Sequence, residues 1–276
     1  MIACLRLLSA LCLAALLAAC ASSPSSSLGD LPRTPDASIE QLLEQATTAK
    51  TPEKAALLRL SAADMAYHQN NPGRSSQILA QVPLDALKPA AQVFASTLAA
   101  ELAMTRNQPK AALTALSHPS LQNLKDLPAE QQIRTGTVHA RAYEADGQTL
   151  AAARERVAMA PLLTGDAAHS NHEAIWVLIA AVPADQLQAS GNPVLDGWIT
   201  LAQSVKAAGT LEQQQAAIDT WRAQNPNHPA ALQLPTPLIK LKELASQPLN
   251  KIAVLLPLDG PLASAGKALR EGFMAA

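Results

Sequence analysis

The stretch AYHQNNPGRSSQIL, residues 66–79, decides the reading of the fold. A helical pattern enters it, Asn71-Pro72-Gly73 breaks the pattern, and a second helical pattern leaves it. The same order of helix, tight polar turn and helix recurs in MTRNQPKAALTAL (104–116), YEADGQTLAAARE (143–155) and VKAAGTLEQQQAAI (205–218). With Asn71, Asn107, Gly147 and Gly209 as turn markers, the spacings are 36, 40 and 62 residues. The first two lie near the ~34-residue period of tetratricopeptide helix pairs, and the third leaves room for a further hairpin around 165–190. Ser76, Ala112 and Ala152, five positions after three of the markers, are small enough to let paired helices approach closely, whereas Gln214 breaks the rule in the fourth. The spacing predicts a mostly α chain, with a degenerate tetratricopeptide-like helical repeat (an α-solenoid) over residues 39–247. An irregular helical bundle is the plainer alternative. A stacked array would offer a partner a concave groove.

Apolar periodicity supports the helices one by one. Ala56, Leu60, Ala63 and Tyr67 form one stripe; Ala91, Phe94, Leu98 and Leu102 form another. Thr51-Pro52-Glu53 reads as an N-cap followed by proline and an acid in the first turn. Helices are expected at 39–49, 53–68, 74–81, 90–105, 109–117, 129–145, 148–160, 165–181, 194–207 and 211–224. Aromatic residues make up only 3% of the 276, so the core must rest on close Ala and Leu packing. A formal net charge of −1 gives no electrostatic footprint for nucleic acid, and none is expected as a partner.

The amino terminus sets the compartment. In MIACLRLLSALCLAALLAAC, Arg6 precedes an apolar run from Leu7 to Ala19, the length of a signal-peptide core and too short to span a bilayer. Leu17-Ala18-Ala19-Cys20 fits the bacterial lipobox, which predicts signal cleavage between Ala19 and Cys20 and lipid attachment at Cys20. Cys4 and Cys12 fall within the signal peptide (1–20) upstream of the cleavage point, so the mature chain keeps only Cys20 and forms no internal disulfide. Ala21, where inner-membrane retention uses Asp, points to the outer membrane. Residues 21–38, ASSPSSSLGDLPRTPDAS, read as a Ser/Pro-rich tether of at most roughly 55 Å.

Chemistry is thinly represented. His169, His172 and Glu173 are the nearest thing to a metal site, but HxxHE follows neither zincin order and has no third ligand by spacing. There is no G-x-S-x-G elbow. Residues 260–268 are glycine-containing, yet Ala268 stands where a phosphate loop needs Ser or Thr. Trp176, Trp198 and Trp221 lie within helical patterns and are assigned to the core. The expectation is a protein without a cofactor or catalysis of its own.

The end of the chain, KIAVLLPLDGPLASAGKALREGFMAA (251–276), breaks the helical pattern. Ile252 to Leu256 reads as a buried strand, residues 257–261 as a turn and 264–276 as a helix. This resembles the first β-α unit of type I periplasmic-binding-protein domains. Together with Trp221, Asn225-Pro226, His228-Pro229-Ala230 and Leu234-Pro235, it resembles the LppC family of penicillin-binding protein activators. The resemblance implies an outer-membrane lipoprotein facing the periplasm. Such a protein stimulates a bifunctional class A penicillin-binding protein in peptidoglycan synthesis, mainly through a carboxy-terminal domain. Residues 250–276 would be the truncated start of that domain, and peptidoglycan a further candidate partner. The alternatives are a solute-binding, receptor-like lipoprotein and a tetratricopeptide-like scaffold for envelope assembly.

Overall fold

Local capping signals set the helix starts. In the computed structural model, which describes residues 27–32, 36–246 and 254–275, helix α1 (Ile39–Thr47) opens on a capping box. The Ser38 hydroxyl accepts from the Gln41 amide at 3.2 Å, and the Ser38 amide donates to the Gln41 side chain at 2.8 Å. Helix α2 (Pro52–His68) is capped by Thr51, whose hydroxyl accepts from the Lys54 amide, with Pro52 in the first turn. Then follow α3 (Pro72–Leu79), α4 (Pro89–Thr105), α5 (Pro109–Ala115), α6 (Ala129–Ala145), α7 (Thr149–Met159), α8 (Gly165–Ala181) and α9 (Pro193–Ala207). With α10 (Leu211–Gln224), every helix expected between residues 39 and 224 is present within two residues at each end.

Three of the expected turns share one geometry. Asn70, Asn107 and Gly147 adopt φ of 58°, 55° and 77°, the left-handed region. Each donates its amide to the carbonyl three residues back: Tyr67, Met104 and Glu144, at 2.9–3.1 Å. The following residue, Asn71, Gln108 or Gln148, donates to the carbonyl five back: Ala66, Ala103 or Tyr143, at 2.8–3.0 Å. This is the Schellman closure of a helix. It is followed at once by the next helix, so α2–α3, α4–α5 and α6–α7 are three hairpins joined by equivalent links.

The left-handed residues set the register, and the marker in the first hairpin is Asn70 rather than Asn71. Counted from them, the small residue five positions on is Ser75, Ala112 or Ala152, and all three are fully buried. Seven positions back stand Ala63, Ala100 and Ala140, also fully buried. The expected Ser76 is therefore off by one position; Ser76 is half-buried and accepts from Arg106 at 2.7 Å. Small side chains on both helices allow the close approach that an Ala-rich core requires. Ile39, Leu42, Leu60, Ile78, Phe94, Leu98 and Leu102 fill the space between the first helices.

Elsewhere the chain departs from expectation. Gly209 does not take a left-handed turn; Thr210 instead caps α10, accepting from the Gln213 amide at 3.2 Å. The region 165–190 is not a hairpin but the single long helix α8 followed by one 3-10 turn (Ala184–Gln186), because Pro183 stops the helix. Part of the predicted tether, residues 28–32, lies against the helical body. The chain divides into one unit ending at Ala202 and another starting at Gln203. The second unit holds α10, α11 (Pro229–Leu232), α12 (Thr236–Ser246) and α13 (Ala263–Ala275). Of the expected strand, Ile252 and Ala253 lie outside the described residues. Val254–Leu256 form no strand, since no extended neighbour among the described residues supplies a ladder. The helix expected after it is α13.

The Ser75 hydroxyl is fully enclosed and has no hydrogen-bond partner among the described residues, while the equivalent positions carry alanine. Ser75→Ala should therefore stabilise the first unit by about 1 kcal/mol, read as a higher melting temperature.

Candidate functional site

The residues singled out for chemistry are mostly occupied by packing. Ala19 and Cys20 lie outside the described residues. On α8, His169 is exposed, while the His172 ring meets the Trp198 ring edge-on at 4.8 Å. Among the described residues no group of three or more His, Cys, Asp or Glu could hold a metal ion. Trp176, Trp198 and Trp221 are buried, as expected of core residues. In the glycine-containing stretch, Gly266 on α13 lies so close to the loop that a Cβ would stand 2.2 Å from the Pro257 carbonyl oxygen. Its role is to let loop and helix touch.

The motif at 221–231 interlocks with itself. The Trp221 ring is edge-to-face with His228 at 5.1 Å. The Asn225 side-chain amide donates to the Trp221 carbonyl at 2.9 Å, and the Arg222 guanidinium donates to the Ala231 carbonyl at 3.1 and 3.2 Å. The His228 ring nitrogen Nδ1 accepts from the Ala230 amide and caps α11. The residues that carry the family resemblance thus fasten the end of α10 to α11.

A polar centre that the sequence did not announce lies among α2, α4 and α6. The Arg134 guanidinium of α6 donates to Asp64 of α2 at 2.7 Å, and to both carboxylate oxygens of Glu101 of α4 at 2.9 and 2.5 Å. Its carbon stands 4.7 Å above the Phe94 ring. All three side chains are less than a fifth exposed. Burial opposes the guanidinium charge, but hydrogen bonding to Glu101 and the charges of Glu101 and Asp64 outweigh it. The group is held above the ordinary arginine value and stays cationic at every accessible pH. Asp64 also faces the exposed His68 at 3.6 Å.

Beside this centre lies a buried hydroxyl cluster. The Thr97 and Thr135 hydroxyls are 2.8 Å apart, and the Gln131 amide donates to both. A cavity of about 720 Å³ opens above, lined by Leu31, Asp64, His68, Phe94, Gln131 and Arg134 among others. Residues 28–32 form one of its walls. Arg134 donates three hydrogen bonds to two carboxylates on two other helices, so the arrangement ties α2, α4 and α6 together. One signal could have revealed it: Asp64 and Glu101 each stand six residues before a left-handed turn residue, so successive hairpins present a carboxylate at the same position.

Removing the guanidinium strands two part-buried carboxylates. Arg134→Gln should destabilise the first unit by roughly 3 kcal/mol. Arg134→Lys should fall between it and the parent, because a point charge cannot form the bidentate pair. Urea unfolding checks both.

Comparison with known proteins agrees with this architecture. Residues 32–276 match the family described as "LppC putative lipoprotein". The penicillin-binding protein activator LpoA of Vibrio cholerae serotype O1 is 28% identical over 275 residues, covering 98% of this chain and 45% of the relative. That of Dickeya chrysanthemi is 32% identical over 193 residues, covering 65% of this chain and 28% of the relative. The chain thus spans less than half the length of these relatives. Haemophilus influenzae LpoA superposes with a TM-score of 0.57 at 24% identity, covering 88% of this chain and 45% of that one. The amino-terminal domain of E. coli LpoA superposes with a TM-score of 0.56 at 22% identity, covering 85% of this chain and 100% of that one. These likenesses establish a shared fold, that of the LpoA amino-terminal domain. With the family match running from residue 32 to the last residue, this chain belongs to the LppC family of lipoproteins.

Proposed function

We propose that this chain is the helical part of an outer-membrane lipoprotein that regulates peptidoglycan synthesis. It binds and stimulates a bifunctional class A penicillin-binding protein, and performs no chemistry itself. The observation that carries this reading is the family match over residues 32–276, with relatives named penicillin-binding protein activators. The Arg134 centre supports a rigid body for such a contact, because it ties three helices together. The lipobox at Cys20 supports an anchor, and Ala21 supports the outer membrane, with the body facing the periplasm. Among the described residues no helix is long and apolar enough to cross a membrane.

The three hairpins support a tetratricopeptide-like repeat. Their left-handed residues are 37 and 40 residues apart, and each hairpin pairs two small buried residues in the same register. Residues 250–276 are the start of a periplasmic-binding-protein-like domain in this reading; α13 and the loop packed on Gly266 support its helical half. Contact with the synthase is assigned mainly to that carboxy-terminal domain.

Pull-down of the protein completed with its carboxy-terminal domain, against detergent-solubilised penicillin-binding proteins, should retain a bifunctional synthase. The same protein should raise transpeptidation in a purified assay. Absence of both defeats the activator reading. Cys20→Ala should abolish incorporation of radiolabelled palmitate in cells; labelling that persists refutes the anchor.

A further inference from the structure

Helix α4 begins without a side-chain cap: Lys88 stands at the cap position and supplies no acceptor. The first amides of a helix need partners from outside it. Here one comes from far upstream in the chain, for the Leu28 carbonyl accepts from the Ala90 amide at 2.9 Å. Gly29 then turns with φ +81° directly over Lys88, where a Cβ would come within 2.7 Å of the lysine side chain. Leu28 and Leu31 rest on Ala90, Val93 and Leu127. Both leucines are only half-buried. Residues 28–32 thus cap α4 and wall the 720 Å³ cavity over Arg134.

We propose that residues 28–32 are a detachable strap, docked over the α4 start and the Arg134 cavity, that sets how far the body stands from its anchor. Its apolar hold is two leucines that stay half-buried, small beside the fully buried packing within each hairpin. Local opening is drawn from such weakly held segments. The consequence for reach rests on the anchor at Cys20. Docked, the strap leaves only residues 21–27 between anchor and body, a span of at most roughly 22 Å. Released, residues 21–38 give up to roughly 55 Å. Release also uncovers the cavity walls around Phe94, Leu127 and Arg134. The strap is one wall of the cavity, so reach and access to this face change together.

Hydrogen exchange at the Ala90 amide tests the docking. It should be protected in the parent chain and exchange about tenfold faster or more in Leu28→Asp/Leu31→Asp, while Val138 stays protected. Gly29→Val, which clashes with Lys88 without adding charge, should behave the same way. An Ala90 amide that exchanges freely in the parent, or stays protected in both variants, overturns the strap. For reach, a dye on Lys110→Cys in the lipidated protein should move away from a labelled bilayer when the strap is released. An unchanged distance with Ala90 unprotected overturns control of reach. Failure of the parent protein to take up lipid removes the anchor alone, because the exchange measurement needs no membrane.

Discussion

The first unit depends on a backbone constraint: a helix that must end in a left-handed residue before the next can begin. Asn70, Asn107 and Gly147 satisfy it with residue types that accept positive φ at little cost. Their two reverse hydrogen bonds leave almost no freedom in the angle between paired helices. That is why small residues recur at fixed distances from the turn on both helices. It is also why Asp64 and Glu101 arrive together at one guanidinium. An alanine-rich core has little side-chain bulk with which to correct a misplaced helix, so the turns must place it.

Helices were legible in the sequence because their signals are local. Periodicity marked their bodies, and the Asn-Pro, Gln-Pro and Asp-Gly breaks marked their ends. What the sequence concealed depends on distant partners. Arg134 meets carboxylates 33 and 70 residues away, and nothing beside it in the chain announces this. Leu28-Gly-Asp-Leu-Pro32 reads as tether because two leucines among Gly and Pro cannot nucleate anything alone; it orders only against an uncapped α4. Helix α12 hides behind Pro229, Pro235 and Pro237, which punctuate its approach as a loop.

Of the strand expected at 252–256, the described part, Val254–Leu256, failed for a different reason. An apolar run states that a segment wants cover, not that a neighbouring strand is there to pair with. The helix after it needed no such partner and formed where expected. The Trp221–Ala231 motif, by contrast, proved informative twice. It identified the family, and its side chains turned out to fasten α10 to α11. Its residues carry recognition for the reader of sequences and cohesion for the molecule.

The Thr97, Thr135 and Gln131 cluster has an evolutionary consequence. The two hydroxyls answer each other across the helices, Thr97 also donates to the Val93 carbonyl, and the Gln131 amide donates to both, so losing one threonine still leaves the other with a partner. Replacing both by valine would instead strand the buried Gln131 amide. Selection therefore meets Thr97, Gln131 and Thr135 as one linked set, in which the glutamine is kept only while a threonine accepts from it. A relative that has lost both threonines is expected to have lost the glutamine too.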